Sequence, residues 1–498
     1  VPRSTSAVLR HRVRARARSC AAALLAGGLV AAALSAPVTA TAAAPAAAPA
    51  AVATAPAALA PSALRAAAVS ARAPKRYTPP VGVRFNDPLG GRDARRKILG
   101  HLIRTVDSVP SRQAIRIASW NIRSNDLVDA LVRAHRRGVS VRVVIDRLNA
   151  NPDNPNEGFD RLARALAGSR NGSRPPELRS VTQRCASACR GPRGIAHAKF
   201  FLFSKAGNAR WITMFGSANA TDLAATHQWN DLFTLRDRPG LYEHFELVFD
   251  EMVSDQHATQ GFVTADFGPY RTAFYPYRDE GAVGDPVLNE LNRTRCAGAT
   301  GGAGTKGRTR IRIAMTSWHG DRGIAIAERL RQMFDRGCNV KVVYAVMGNE
   351  ILRIMRRGGP RPIPLRQIVQ DFDSDGVYDR YLHIKTMTIS GNYDGVGDAE
   401  VTFNGSANWT PVALVSDEAG MRIFGRGVRA QYEQWVDRLY ANPPYNPGGA
   451  GGSAGGAGRT VAGRTTVTSP AHAGLAPAEV EQLARARGVD PYREVQVN

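Results

Sequence analysis

Two stretches of this chain, about 196 residues apart, carry one pattern of apolar residues. A duplicated unit restricts the fold more than any other feature of the sequence. In the first stretch, Ala114-Ile115-Arg116-Ile117-Ala118-Ser119-Trp120 alternates as a strand does. A helical pattern follows from Asp126 to Arg137, with Leu127, Ala130, Leu131 and Ala134 on one face. Gly138 closes that helix, and Val141 to Ile145 predicts a second strand. The second stretch repeats this: strand Arg310 to Ala314, helix Ile324 to Arg336 with Ile326, Leu330 and Phe334 on its face, Gly337, then strand Val340 to Tyr344. A strand–helix–strand unit with a helix-length crossover implies parallel strands. The expected fold is α/β: two pseudo-two-fold-related α/β/α lobes with mixed sheets, over residues 76–285 and 286–446.

What flanks the lobes reads differently. Arg10, Arg12, Arg14, Arg16 and Arg18 precede an apolar run, Ala21 to Leu34, and small residues at Thr39 to Ala42. That is the layout of a secretory signal peptide over 1–42; the apolar run is short of the ~20 residues a membrane span needs. Residues 43–75 are an Ala/Pro-rich linker, and 447–498 a Gly-rich flexible tail. The net charge is +24 and falls only to +18 without residues 1–42, so anionic partners are expected. Secretion permits disulfides. With Cys20 removed, four cysteines remain, and of three possible pairings Cys185–Cys189 and Cys296–Cys338 each stay within one lobe.

A second, sharper pattern also occurs twice. His197-Ala198-Lys199 is followed by Gly216-Ser217-Ala218-Asn219, and His383-Ile384-Lys385 by Gly405-Ser406-Ala407-Asn408. Each triplet falls in a strand-like run, Ile195 to Phe203 or Tyr381 to Ile389, which puts His and Lys on one face. Each Gly-Ser segment follows another apolar strand. This set suits a phosphodiester. Lysine, asparagine and serine donors hold the non-bridging oxygens, one histidine attacks phosphorus, and a second protonates the leaving oxygen.

These residues resemble the phospholipase D superfamily, which carries two H-x-K-x4-D motifs, each followed by a G-S/G-x-x-N turn. More narrowly they look like secreted bacterial phospholipase D-like proteins. The resemblance implies one active site at the lobe interface, a phosphohistidine intermediate, and neither metal nor cofactor. It makes His197 the nucleophile and His383 the general acid. Lys199, Lys385, Asn219 and Asn408 bind the phosphate, with Ser217 and Ser406 beside them. The motif aspartates are replaced by Ser204 and Ser390. The tyrosyl-DNA phosphodiesterase branch also lacks them.

A histidine nucleophile needs a carboxylate on its other nitrogen. Asp231, Asp417 and Glu418 follow the Gly-Ser turns at the expected distance. Asp371 to Gly376 with Asp379 matches the front of a calcium loop, although Leu382 stands where its last ligand belongs. Arg353, Arg356, Arg357, Arg361 and Arg366 form a basic cluster, and Trp229 and Trp409 lie near the two turns.

The leading functional reading is a secreted, monomeric hydrolase that removes or transfers a phospholipid headgroup, with peripheral contact to an anionic membrane surface. A nuclease or other phosphodiesterase of the same superfamily fits the charge as well. A non-catalytic anion-binding relic is the third reading. Intact His and Lys in both copies count against the relic, and the lack of alternating aromatic and basic residues counts against a nucleic-acid groove.

Overall fold

The computed structural model describes residues 77–277, 284–357, 361–372 and 378–446. The expected signal peptide, linker and tail lie outside the described residues, as do residues 373–377 of the acidic loop and 358–360 of the basic cluster.

The first half runs β1 (Gly82–Phe85), α1 (Arg92–Arg95), α2 (Lys97–Asp107), β2 (Ala114–Ala118), α3 (Asn125–Arg136), β3 (Ser140–Asp146), α4 (Glu157–Ala167) and α5 (Ser169–Gly172). It continues with β4 (Val181–Cys185), β5 (Phe200–Ala206), β6 (Ala209–Gly216), α6 (Asp222–Thr226), β7 (Gln228–Trp229), β8 (Asp231–Leu235) and α7 (Pro239–Ser254). A hairpin of β9 (Val263–Phe267) and β10 (Tyr270–Phe274) follows, then α8 (Pro286–Asn292) and β11 (Thr294–Arg295). The second half is β12 (Arg310–Trp318), α9 (Gly320–Asp335), β13 (Asn339–Met347), α10 (Asn349–Arg356), β14 (Leu365–Gln367), β15 (Val369–Gln370) and β16 (Arg380–Leu382). It ends with β17 (Lys385–Tyr393), β18 (Val396–Gly405), α11 (Pro411–Val415), β19 (Ala419–Phe424) and α12 (Arg426–Ala441).

Both crossover units form as their periodicity predicts. β2 and β3 pair in parallel, as do β12 and β13. The first sheet has the order β1-β8-β6-β5-β2-β3-β4, and the second β14-β13-β12-β17-β18-β19-β10-β9. Strands β8, β6, β5, β2, β3 and β4 therefore match β19, β18, β17, β12, β13 and β14 one for one. Both sheets are mixed, since the remaining neighbours are antiparallel except β3–β4 and β13–β14.

Apolar faces explain the layering. Leu102, Leu127, Leu131 and Phe159 of α2, α3 and α4 bury against Ile115, Ile117, Val141 and Val143 on one face of the first sheet. Its other face, with Phe200, Phe215 and Phe233, packs on Phe245 and Phe249 of α7. Met421 and Ile423 of β19 enter that same core, so it joins the halves. In the second half Ile326 and Leu330 of α9 cover one face, and Val436 and Leu439 of α12 the other.

One boundary differs from expectation. The β9–β10 hairpin falls in the span assigned to the first lobe, but it extends the second sheet. β10 pairs with β19 from Tyr270↔Ile423 to Phe274↔Ala419.

Both cysteine pairs are bonded, with Cα separations of 5.0 Å for Cys185–Cys189 and 4.6 Å for Cys296–Cys338. No described helix is long and apolar enough to cross a membrane. In the acidic loop, the Asp379 carboxylate accepts the Phe372 N–H at 2.7 Å.

Candidate active site

His197 and His383 lie just ahead of the sheet strands, a departure from the strand runs read in the sequence. β5 begins at Phe200 and β17 at Lys385. The reason is that the backbone upstream of each strand pairs with the other half. Asp417 N–H donates to the Ile195 carbonyl, and His197 N–H to the Asp417 carbonyl, both at 3.0 Å. Symmetrically, Tyr381 and Leu382 of β16 pair in parallel with Gln228 and Trp229 of β7. His383 N–H then donates to the Trp229 carbonyl at 2.9 Å. Each histidine is thus seated on the segment that follows the Gly-Ser turn of the other half.

The turn glycines make this approach possible. A Cβ on Gly216 would lie 2.6 Å from the Asp231 carbonyl oxygen, and one on Gly405 only 2.2 Å from that of Ala419. Neither backbone oxygen can move without breaking its ladder, so glycine is required at both places.

The crossed seating gives the histidines different partners. His197 is fully buried, and its Nδ1 lies 2.8 Å from Glu418 Oε1. His383, also fully buried, has its Nδ1 2.7 Å from Asn230 Oδ1. Asn230 faces the ring with its oxygen because its Nδ2 is committed to the Ala224 carbonyl at 3.0 Å and Gln228 Oε1 at 3.3 Å. Both rings therefore present an Nδ1–H to an acceptor, which directs chemistry to Nε2. The Nδ1 contact of His197 is thus to a carboxylate and that of His383 to an amide oxygen.

The lysines are equivalent. Lys199 Nζ donates to the His197 carbonyl at 2.6 Å and Lys385 Nζ to the His383 carbonyl at 2.9 Å. Asn408 Oδ1 accepts the Ser317 N–H at 3.2 Å, leaving its buried Nδ2 without a protein partner. Asn219 Oδ1 is also buried and unpartnered. The Asn408 Nδ2 is a donor suited to an anion's oxygen, whereas the Asn219 Oδ1 is an acceptor.

Four of the expected site residues are engaged with other protein groups. The Ser217 and Ser406 hydroxyls bond within the protein. Ser217 Oγ donates to Asn230 Oδ1 at 3.1 Å and accepts the Asp231 N–H; Ser406 Oγ donates to Glu418 and accepts the Ala419 N–H. Their hydroxyls fix the histidine partners because the turn folds back on the following strand. Asp231 does not orient His383; its neighbour Asn230 does. Asp231 accepts from Tyr432 Oη at 2.7 Å and Asn404 Nδ2 at 3.0 Å, a buried clamp between the halves. Burial pushes its carboxyl up from the ordinary range, against those hydrogen bonds. Asp417 accepts the Cys189 and Arg190 backbone N–H groups. Burial drives its carboxyl up to about 7, opposed by those N–H donors and the Arg190 charge.

Sequence reasoning missed Asn230, Asp146 and Trp120. Asp146, at the end of β3, accepts the Ala196 N–H at 2.9 Å, one residue before His197. Trp120 sits with its ring 6.4 Å from that of His197, its indole N–H buried without a partner. Trp409 packs edge-on against Trp318 at 4.6 Å, while the Trp229 side chain belongs to the core beside α12. Arg366 of the basic cluster stacks over Tyr440. Among the described residues one group of potential metal ligands is close enough together, Cys185, Cys189 and Asp255, and its two sulfurs are joined in a disulfide.

The model of the family described as cardiolipin synthase, PLD-like domain, matches residues 106–253 and 305–440. Among curated proteins none matches the chain. Solved structures with similar folds include polyphosphate kinase from Porphyromonas gingivalis, at 14% identity and TM-score 0.46. It aligns with 72% of this chain, which spans half the length of that kinase. Phosphatidylserine synthase from Haemophilus influenzae aligns over 72% of this chain and 86% of its own, at 11% identity and TM-score 0.45. Nuc from Salmonella typhimurium, a phospholipase D family member, aligns over 36% and 97%, at 20% identity and TM-score 0.24.

Proposed function

Since this chain belongs to the family of phospholipase D-like (PLD-like) domains, we propose that it is a secreted phosphodiesterase that hydrolyses or transfers the headgroup of a phospholipid through a phosphohistidine. The observation that carries the reading is the crossed pair of buried histidines, His197 on Glu418 and His383 on Asn230. The carboxylate offsets the positive charge that His197 gains on attack, which suits it to be the nucleophile. Asn230 orients His383 without adding a charge, which suits that ring to donate its proton.

In the first step His197 Nε2 bonds to phosphorus as the bond from phosphorus to the leaving oxygen breaks. His383 gives its Nε2 proton to that oxygen. Water then attacks phosphorus, His383 takes a proton from the water, and the phosphorus–nitrogen bond breaks. An alcohol in place of water gives transfer. Lys199, Lys385, Asn219 and Asn408 hold the non-bridging oxygens and balance the charge that builds on them. The signal-like leader and two disulfides support secretion.

The test is choline release from phosphatidylcholine vesicles beside nicking of plasmid DNA, using one preparation and its His197→Asn variant. Choline release lost in the variant, with DNA intact in both, is the expected result. DNA nicking that requires His197, without choline release, assigns the site to a nuclease. Neither activity on any phosphodiester leaves an anion-binding protein.

A further inference from the structure

Residues 186–199, between β4 and β5, form no helix or strand of their own, yet they carry His197 and Lys199. The Cys185–Cys189 disulfide closes a turn where β4 ends, and both cysteines are fully buried. Directly after that turn, the Cys189 and Arg190 N–H groups donate to the two carboxylate oxygens of Asp417. Asp417 is bound through its backbone to Ile195 and His197, and it adjoins Glu418, the partner of the His197 ring. A second route starts at the Arg190 side chain, which is 1% exposed. Its Nη1 donates to the Tyr275 carbonyl at 2.8 Å, and the Tyr275 N–H donates to the Glu418 carbonyl at 3.0 Å. The other disulfide, Cys296–Cys338, lies where β12 and β13 begin. Ser317, which meets Asn408, is near the far end of β12.

We propose that the Cys185–Cys189 disulfide is a redox-sensitive positioning device for the nucleophile. Closed, it presents the Cys189 and Arg190 N–H groups to Asp417 and so holds Glu418 on His197; opened, it lowers turnover. The inference rests on the phosphodiester reading above and adds its regulation. A dithiol opens the bond by exchange. The two sulfurs of the dithiol become a disulfide, and two electrons with two protons pass to Cys185 and Cys189, which become thiols. A cross-link restricts the conformations of the chain it closes. Without it, nothing obliges the two N–H groups to arrive at Asp417 together. The seat of His197 is therefore complete only in an oxidising compartment.

The experiment compares three forms of the intact chain: the oxidised protein, the Cys185→Ser, Cys189→Ser variant and the Cys296→Ser, Cys338→Ser variant. Each is read by turnover of aryl and alkyl phosphodiesters and by the downfield proton resonance of the His197 Nδ1–H, identified by its loss in His197→Asn. Loss of the first disulfide is expected to lower kcat roughly 10-fold for both leaving groups, the size usual for groups that orient a reacting histidine. KM is expected to hold and the resonance to shift. In a Glu418→Gln background the same loss is expected to shrink below about two-fold, since coupled groups do not add. Loss of the second disulfide is expected to leave kcat and the resonance as they are. If the Cys185→Ser, Cys189→Ser chain does not fold, the native chain treated with dithiothreitol takes its place. The opened pair is then identified by mass after alkylation of a sample, and kcat is expected to return on reoxidation. An unmoved resonance overturns the proposal, as does an unchanged kcat or a loss that multiplies in full with Glu418→Gln. If the oxidised chain turns over no diester, the phosphodiester reading fails, and the resonance alone decides whether the disulfide positions His197.

Discussion

Glu418 and Asn230 occupy the same place in the two halves, each beside a Gly-Ser turn and each on the opposite histidine, yet one carries charge and the other does not. Two substitutions separate their roles. Glu418→Gln is expected to lower kcat by about 10- to 100-fold, the usual range for a group that orients a reacting histidine, for aryl and alkyl leaving groups alike. Asn230→Ala is expected to slow alkyl leaving groups, which need a proton, and to spare aryl ones. Equal losses for both leaving groups in Asn230→Ala would remove His383 from the acid role. Asp417, next to Glu418, makes a different prediction. Its carboxyl lies at about 7 in the folded chain against an ordinary value near 3.8, because burial, aided by the like charge of Glu418, outweighs the Cys189 and Arg190 N–H donors and the Arg190 charge. Between those values the folded protein keeps a proton that the unfolded chain has released, so stability falls as pH rises through that window. Asp417→Asn is expected to be less stable throughout, since it loses an acceptor for two N–H groups, but to show a shallower fall. Urea denaturation at pH 4.5 and 7.5 measures both slopes; equal slopes would contradict the assignment.

At the scale of elements, the serines that replace the motif aspartates act at strand ends. Ser204 Oγ accepts the Ala114 N–H at 2.8 Å and donates to Gln113 Oε1 at 2.9 Å, fixing the start of β2. Ser390 Oγ accepts the Gly304 N–H at 3.0 Å on the approach to β12. Ser204→Ala is expected to cost roughly 0.5–1.5 kcal/mol of stability with kcat/KM unchanged; a drop in kcat/KM at full folding would return the position to the site. The same contrast explains what could be read in advance. The crossover helices and parallel strands are local patterns, so their periodicity shows them. The triplets stand out because they occur twice. Asn230 is not legible in the sequence because a carboxylate is the expected partner of a reacting histidine, and because the contact joins residues 153 positions apart. The β9–β10 hairpin escaped for a related reason: nothing in Val263–Phe274 records that its partner is β19. By residue type the turn serines fit phosphate chemistry, whereas the tight return of the chain at Gly216 and Gly405 brings those hydroxyls to the neighbouring strand.

For the whole molecule, the site exists only where the halves meet. His197 belongs to one half and Glu418 to the other; His383 and Asn230 reverse that arrangement. The β7–β16 pairing, the β10–β19 pairing and the buried Asp231–Asn404–Tyr432 cluster all cross between residues 77–277 and 284–446. Neither disulfide does, since Cys185–Cys189 and Cys296–Cys338 each close within one span. Among the described residues, association of the halves therefore rests on packing, hydrogen bonds and ion pairs such as Arg438–Asp87, with no disulfide between them. A protease site introduced between Tyr277 and Gly284 tests this. After cleavage the two fragments are expected to elute together under native conditions, with activity retained, and to separate in denaturant without a reductant. Residues 286–446 made alone are expected to aggregate. They lack β10, which covers the edge of β19, and they lack Asn230, leaving His383 Nδ1 without that acceptor. Fragments that part under native conditions while each keeps activity would show that a half-site suffices, and the crossed histidine pairs would then have no part in the chemistry.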